Sequence, residues 1–140
     1  MTGNSDLHAD DIGQVVGVSH HDGSIEGINF GKDSVDINIS SSYGEKNTVC
    51  LVGVRYFIAN GLREGNVVDR MYLWDAEKAP DSIMKRVMQA LSIDLPNVMQ
   101  ERASKNSKIF LMECSYGAEI FSVLHHGIQL KGPGSVSDEP

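Results

Sequence analysis

The chain has 140 residues, 41% of them hydrophobic and 22% charged, with nineteen carboxylates against twelve lysines and arginines for a formal charge of −7. That length suits one domain with its own core, the composition is that of an ordinary globular protein rather than a disordered one, and no apolar run approaches the roughly 20 residues of a spanning helix. The acidic balance argues against a non-specific grip on nucleic acid, which needs clustered cations to displace counterions, and favours a basic partner.

Residues 1–11 are polar and acidic around a lone Leu7 and read as a flexible arm. They carry no positive cluster and no apolar segment of the secretory kind. The domain is expected over 12–130. From Ile12, Val15, Val16 and Val18 suggest a first strand, ended by His20-His21-Asp22-Gly23, in which Asp-Gly is a turn signal. SIEGINF (24–30) places Ile28 and Phe30 on one face and Ile25 on the other, unless Gly27 marks a bulge. In VDINIS the alternation is clean: Val35, Ile37 and Ile39 against Asp36, Asn38 and Ser40, the pattern of a strand with one wet side. A hairpin loop, Ser41 to Lys46, follows.

The densest apolar stretch is Asn47–Trp74. It reads as two long strands joined at residues 60–66, and the spacing predicts a central hairpin whose polar chemistry is confined to the Arg63-Glu64 tip. After Trp74 the period changes. Pro80 and Asp81 suit a helix start, and Ile83, Met84, Val87, Met88 and Leu91 recur at helical spacing, which predicts a helix over about 80–92 laid on one sheet face. Asp94 and Pro96 suggest a second, shorter helix over 94–103. KIFLMECS and AEIFSVLHHGIQL, turned at Tyr116-Gly117, form a last hairpin, with an interruption at His125-His126-Gly127. Residues 131–140 combine Gly, Pro, Ser and acids and read as a disordered tail. The expected class is α+β: a mostly antiparallel sheet of about seven strands, with one or two helices inserted before the last hairpin.

Cys50 and Cys114 lie inside apolar runs and read as buried free thiols, which places the protein in a reducing cytoplasm. Four of the five histidines form two adjacent pairs, His20-His21 followed by Asp22, and His125-His126. Imidazole is the commonest metal ligand, but adjacent strand residues point to opposite faces, so each pair supplies one ligand at most to a shared site. A metal-dependent hydrolase built on His21, Asp22 and His126 therefore requires the first and last strand ends to meet. Solvated strand ends are the simpler reading. No HExxH, CxxC, GxSxG, GxGxxG or phosphate-binding loop occurs, so no catalytic residue, metal ligand or cofactor is assigned.

HHDGSIEGINF, the "GV" step of LVGVRYF, REGNVV, and the closing ECSYGAEIFSVLHHGIQL together resemble small bacterial immunity-type domains associated with polymorphic and contact-dependent toxins. The likeness spans about residues 18–130. It implies a non-enzymatic cytoplasmic protein that binds and neutralises a cognate toxin by occluding its active site. An acidic surface would complement a cationic nuclease in sign and speed encounter. Asp36, Tyr43, Glu64, Asp69 and Tyr116 are the expected partner-binding residues, since they fall on predicted wet faces or turns. A homo-oligomeric scaffold pairing through an exposed sheet edge is a third reading.

Overall fold

The structure, a computed structural model, describes residues 4–16, 22–41, 43–63, 65–91 and 107–131. Nine strands appear among them: β1 (Asn4–Asp6), β2 (His8–Ala9), β3 (Val15–Val16), β4 (Ser24–Phe30), β5 (Ser34–Ser40), β6 (Lys46–Asn60), β7 (Val68–Asp75), β8 (Lys108–Cys114) and β9 (Glu119–Lys131), with one α-helix, α1 (Asp81–Leu91), between β7 and β8. All pairings are antiparallel. The main sheet has seven strands, in the order β4-β5-β6-β9-β8-β7, with β1 added to β9. The expected mostly antiparallel sheet with a helix before the last strands is therefore present. The second expected helix, 94–103, and the tail beyond Lys131 lie outside the described residues.

Local alternation explains the sheet's curvature. Val35, Ile37, Ile39, Val49 and Leu51 face one cluster together with Val68, Met71, Phe110, Met112, Ile120, Leu124 and Ile128. Strands from both halves of the sheet thus share one interior, which requires the sheet to curl upon itself. Its two outer strands meet at one end, where Ser24 bridges Val67, the Val68 N–H donates to the Gly23 carbonyl (2.7 Å) and the Ile25 N–H to that of Asn66 (3.0 Å). The register shift between Ile25 and Gly27 is the bulge that lets Ile25 reach this core beside Ile28.

Asn47–Trp74 is not a hairpin. β6 pairs with β5 and β9, while β7 pairs only with β8 within the main path, so β9 and β8 stand between the two long strands. The reason is geometric. The connection at 61–66 is too long for a tight turn, and it passes the tip of the β8–β9 hairpin, with Gly61 packed near Ala118. Both arms satisfy their backbone groups with the final hairpin instead. The register of β6 with β9 shifts twice, between Val52 and Val54 and between Val54 and Tyr56, and the two shifts cancel. Val49 and Leu51 before them and Phe57 after them face the inner cluster, while Tyr56 and Ile58 join the outer one.

α1 covers that outer cluster. Its Met84 and Val87 are buried and its Ile83 and Met88 are half-buried against Ile109, Leu111, Phe121 and Val123. Pro80 acts as the helix cap, its carbonyl accepting the Ile83 and Met84 N–H groups at 3.0 Å each. Arg86 fixes the helix angle: its guanidinium lies 5.6 Å from the centre of the Phe121 ring and is ion-paired with Glu119 and, at 3.5 Å, with Glu113.

The N-terminal segment, expected as a loose arm, is built into the sheet over residues 4–9. Asn4–Asp6 pair with Gln129–Lys131, and β2 and β3 form a small second sheet. Polar side chains concealed this, because a strand added to an edge is held by backbone hydrogen bonds that sequence polarity does not report. Leu7 and Val15 anchor the segment in the core at 7% and 2% exposure.

Candidate functional site

The end of the rolled sheet where β4 meets β7 is built by loop 61–66 and the turn Ser115–Gly117. Asn66, 1% exposed, joins them. Its side-chain oxygen accepts the Arg63 N–H at 2.5 Å, and its amide donates to the Ser115 carbonyl at 2.9 Å. Ser115 Oγ in turn accepts the Val67 N–H at 3.0 Å. Every buried polar atom in this tie thus has a partner, so the loop and turn are held as one unit.

Tyr116 stands on that unit, 82% exposed, in the left-handed backbone region (φ 60°, ψ 28°). A non-glycine residue there is strained, by about 1–2 kcal/mol. The guanidinium of Arg63 lies 5.2 Å from the ring centre, a cation–π contact that fixes the ring's attitude. Beside it, Asp22, Val67, Val68, Asp69, Cys114 and Ser115 line a cleft of about 170 Å³. The Cys114 thiol is pushed up to about 11, by burial first and then by the negative charges of Asp69, Glu113 and Glu119. The local field is therefore acidic, and an aromatic ring with a polar rim over a rigid base is suited to contact with a protein surface.

The expected partner-binding residues divide accordingly. Tyr116 and Asp69 lie together at this end, and Arg63, whose expected role was only that of a loop tip, joins them. Glu64 lies outside the described residues. Tyr43, 95% exposed, is at the opposite end of β6, on a turn organised by Ser41 Oγ, which accepts the Tyr43 and Glu45 N–H groups at 3.2 and 3.1 Å. Asp36 lies mid-strand on the outer face of β5. One of its oxygens is paired with Lys131 Nζ at 3.0 Å, and the other is buried with no hydrogen-bond partner among the described residues. Lys131 is raised by that hydrogen bond, and the neighbouring Cys50 thiol is pushed up to about 11 by burial and then by Asp36.

Asp22 and His126 line different clefts. His126 is exposed beside Gly53, Asp22 lines the small cleft at the β4–β7 junction, and His20 and His21 lie outside the described residues. Arg55 contacts the His125 ring at 3.4 Å. Among the described residues no group of three or more His, Cys, Asp or Glu could hold a metal ion, and no helix among them is long and apolar enough to cross a membrane.

Sequence reading missed Asn66 and the Arg63–Tyr116 contact. Gly65-Asn66 after a charged tip signals a turn, but the partner Ser115 is 49 positions away. Comparison with protein-family models, curated proteins and solved structures finds no match to this chain.

Proposed function

We propose that the protein is a non-enzymatic binding protein of the immunity type, acting in the cytoplasm to engage a basic protein toxin and occlude its active site. The engaging surface is the Tyr116–Arg63 end of the sheet, with Asp69 on its rim. The observation that carries the reading is Tyr116 itself: a large exposed aromatic held at positive φ by a buried Asn66–Ser115 tie. A fold has no need of an exposed tyrosine in strained backbone, whereas rigid aromatic anchors dominate protein recognition. The formal charge of −7 supports a cationic partner by steering encounter.

Co-expression with the product of the adjoining reading frame tests the reading. A toxic neighbour is expected to form a stable complex with this chain and lose its toxicity. Tyr116→Ala is expected to weaken that complex about 30-fold, a hot-spot loss of about 2 kcal/mol. Asp69→Lys should slow association and flatten its dependence on salt. A neighbour that is harmless or does not bind, or a complex indifferent to both substitutions, overturns the proposal.

A further inference from the structure

Asn60-Gly61 is the chain's single Asn-Gly pair, and it stands where β6 ends. Asn60 opposite Glu119 closes the β6–β9 ladder, and the backbone leaves the strand through Gly61 at φ +71°. Both residues are exposed. Two other asparagines show the contrast: Asn38 accepts the Thr48 hydroxyl at 2.8 Å, and Asn66 is held by Arg63 and Ser115. The Asn60 amide has no such partner among the described residues.

This pair can react with itself. Once the Gly61 N–H gives its proton to solvent hydroxide, the nitrogen attacks the side-chain carbonyl carbon of Asn60, Cγ, and the bond from Cγ to the amide nitrogen breaks to release ammonia. The reacting atoms belong to adjacent residues, so the step needs no further catalyst. The product is a cyclic imide, which water opens at either carbonyl. Opening at the side-chain carbonyl leaves aspartate; opening at the main-chain carbonyl leaves isoaspartate, with the backbone rerouted through the side chain. One water is consumed, one ammonia is released, and nothing is oxidised or reduced. Residue 61 suits the attack because glycine has no Cβ to crowd its nitrogen, and no backbone hydrogen bond from that N–H is present among the described residues.

The surroundings decide what the conversion does. Ile58 and Phe121 pack in the cluster under α1, so Asn60 and Glu119, each two residues away along its strand, lie on that same face. Glu119 stands opposite Glu113 of β8, and the Arg86 guanidinium pairs with both. A carboxylate at position 60 would be the third in a row across β6, β9 and β8. Like charges directly opposite each other on paired strands are destabilising.

We propose that Asn60 deamidates spontaneously in the folded protein, and that the new carboxylate, opposed to Glu119, weakens the end of the sheet that Arg86 ties to α1. Neither step rests on the Tyr116 reading.

Peptide mass mapping after incubation at mildly alkaline pH tests the first step. The expected result is progressive loss of the Asn60 amide, faster as pH rises and with isoaspartate among the products, while Asn66 keeps its amide. Opening a terminal strand pair costs little, so the folded chain should convert within about tenfold of the rate in the urea-unfolded chain. Asn60→Asp, which supplies the carboxylate directly, should lower the urea midpoint, and the same substitution in a Glu119→Gln chain should lower it less. An Asn60 that keeps its amide in the folded chain while the unfolded chain converts overturns the first step. A midpoint that Asn60→Asp leaves unchanged, or lowers equally in both chains, overturns the second.

Discussion

Tyr116 is the residue at which folding and the proposed function pull apart. Its positive φ costs stability that glycine would not, and Gly117 follows it at φ +76°, so the turn already accepts left-handed backbone. Tyr116→Gly is therefore expected to raise the unfolding free energy by about 1 kcal/mol while removing the recognition ring. Denaturant unfolding checks the first effect, and binding to the co-expressed partner checks the second. A variant that loses stability shows instead that the ring packs for the fold. Asp36 teaches the converse lesson. Alternation correctly places it on the face of β5 away from buried Val35 and Ile37, but that face is half-buried there, and Lys131 is 95 positions away, so its ion pair is invisible to any local pattern.

Among the elements, β6 depends most on one position. Gly53 breaks the register with β9 between Val52 and Val54, with the Asp33 carbonyl accepting both the Gly53 and Val54 N–H groups at 2.9 Å. Gly53→Ala places a methyl against the His126 ring and 3.1 Å from its backbone nitrogen, at a φ that alanine disfavours. The expected cost is about 2 kcal/mol or more, read as a lower midpoint in urea unfolding. A neutral result shows that the bulge relaxes. Helix α1 was legible because its apolar stripe repeats at 3.6 residues and Pro80 marks its start. β1 was not legible, since a three-residue polar strand is held by backbone bonds to Gln129–Lys131.

For the whole molecule, alkaline pH is the stress to which the charge arrangement is most sensitive. Both buried thiols titrate near 11 in place of 9.0, because burial disfavours the thiolate. Between those values the unfolded chain releases protons that the folded chain keeps, so stability is complete below pH 9 and falls as pH rises towards 11. The expected loss is up to about 1.4 kcal/mol per pH unit for each thiol. Lys131, raised by its bond to Asp36, adds to the decline in the same direction. Asp75 is lowered, so its contribution is present at neutral pH and disappears only in acid. Urea unfolding at steps from pH 8 to 11 checks this, and the Cys50→Ala, Cys114→Ala double variant should flatten the slope over that interval. An unchanged slope shows that the thiols do not carry it.

By itself the sequence determined the strands from Ser24 onward, the helix after Pro80, the burial of both cysteines and the buried face of β5. Each of these follows from periodicity within a dozen residues, because side-chain direction is fixed by the local backbone. Only the tertiary structure decided that β6 and β7 are not neighbours, that β1 completes the edge of β9, and that Tyr116, Arg63 and Asp69 gather at one end while Tyr43 lies at the other. Strand order and side-chain partners are set by contacts between residues tens of positions apart, where the gain of closing one common core outweighs the entropy of the connecting loops. No local pattern records that balance.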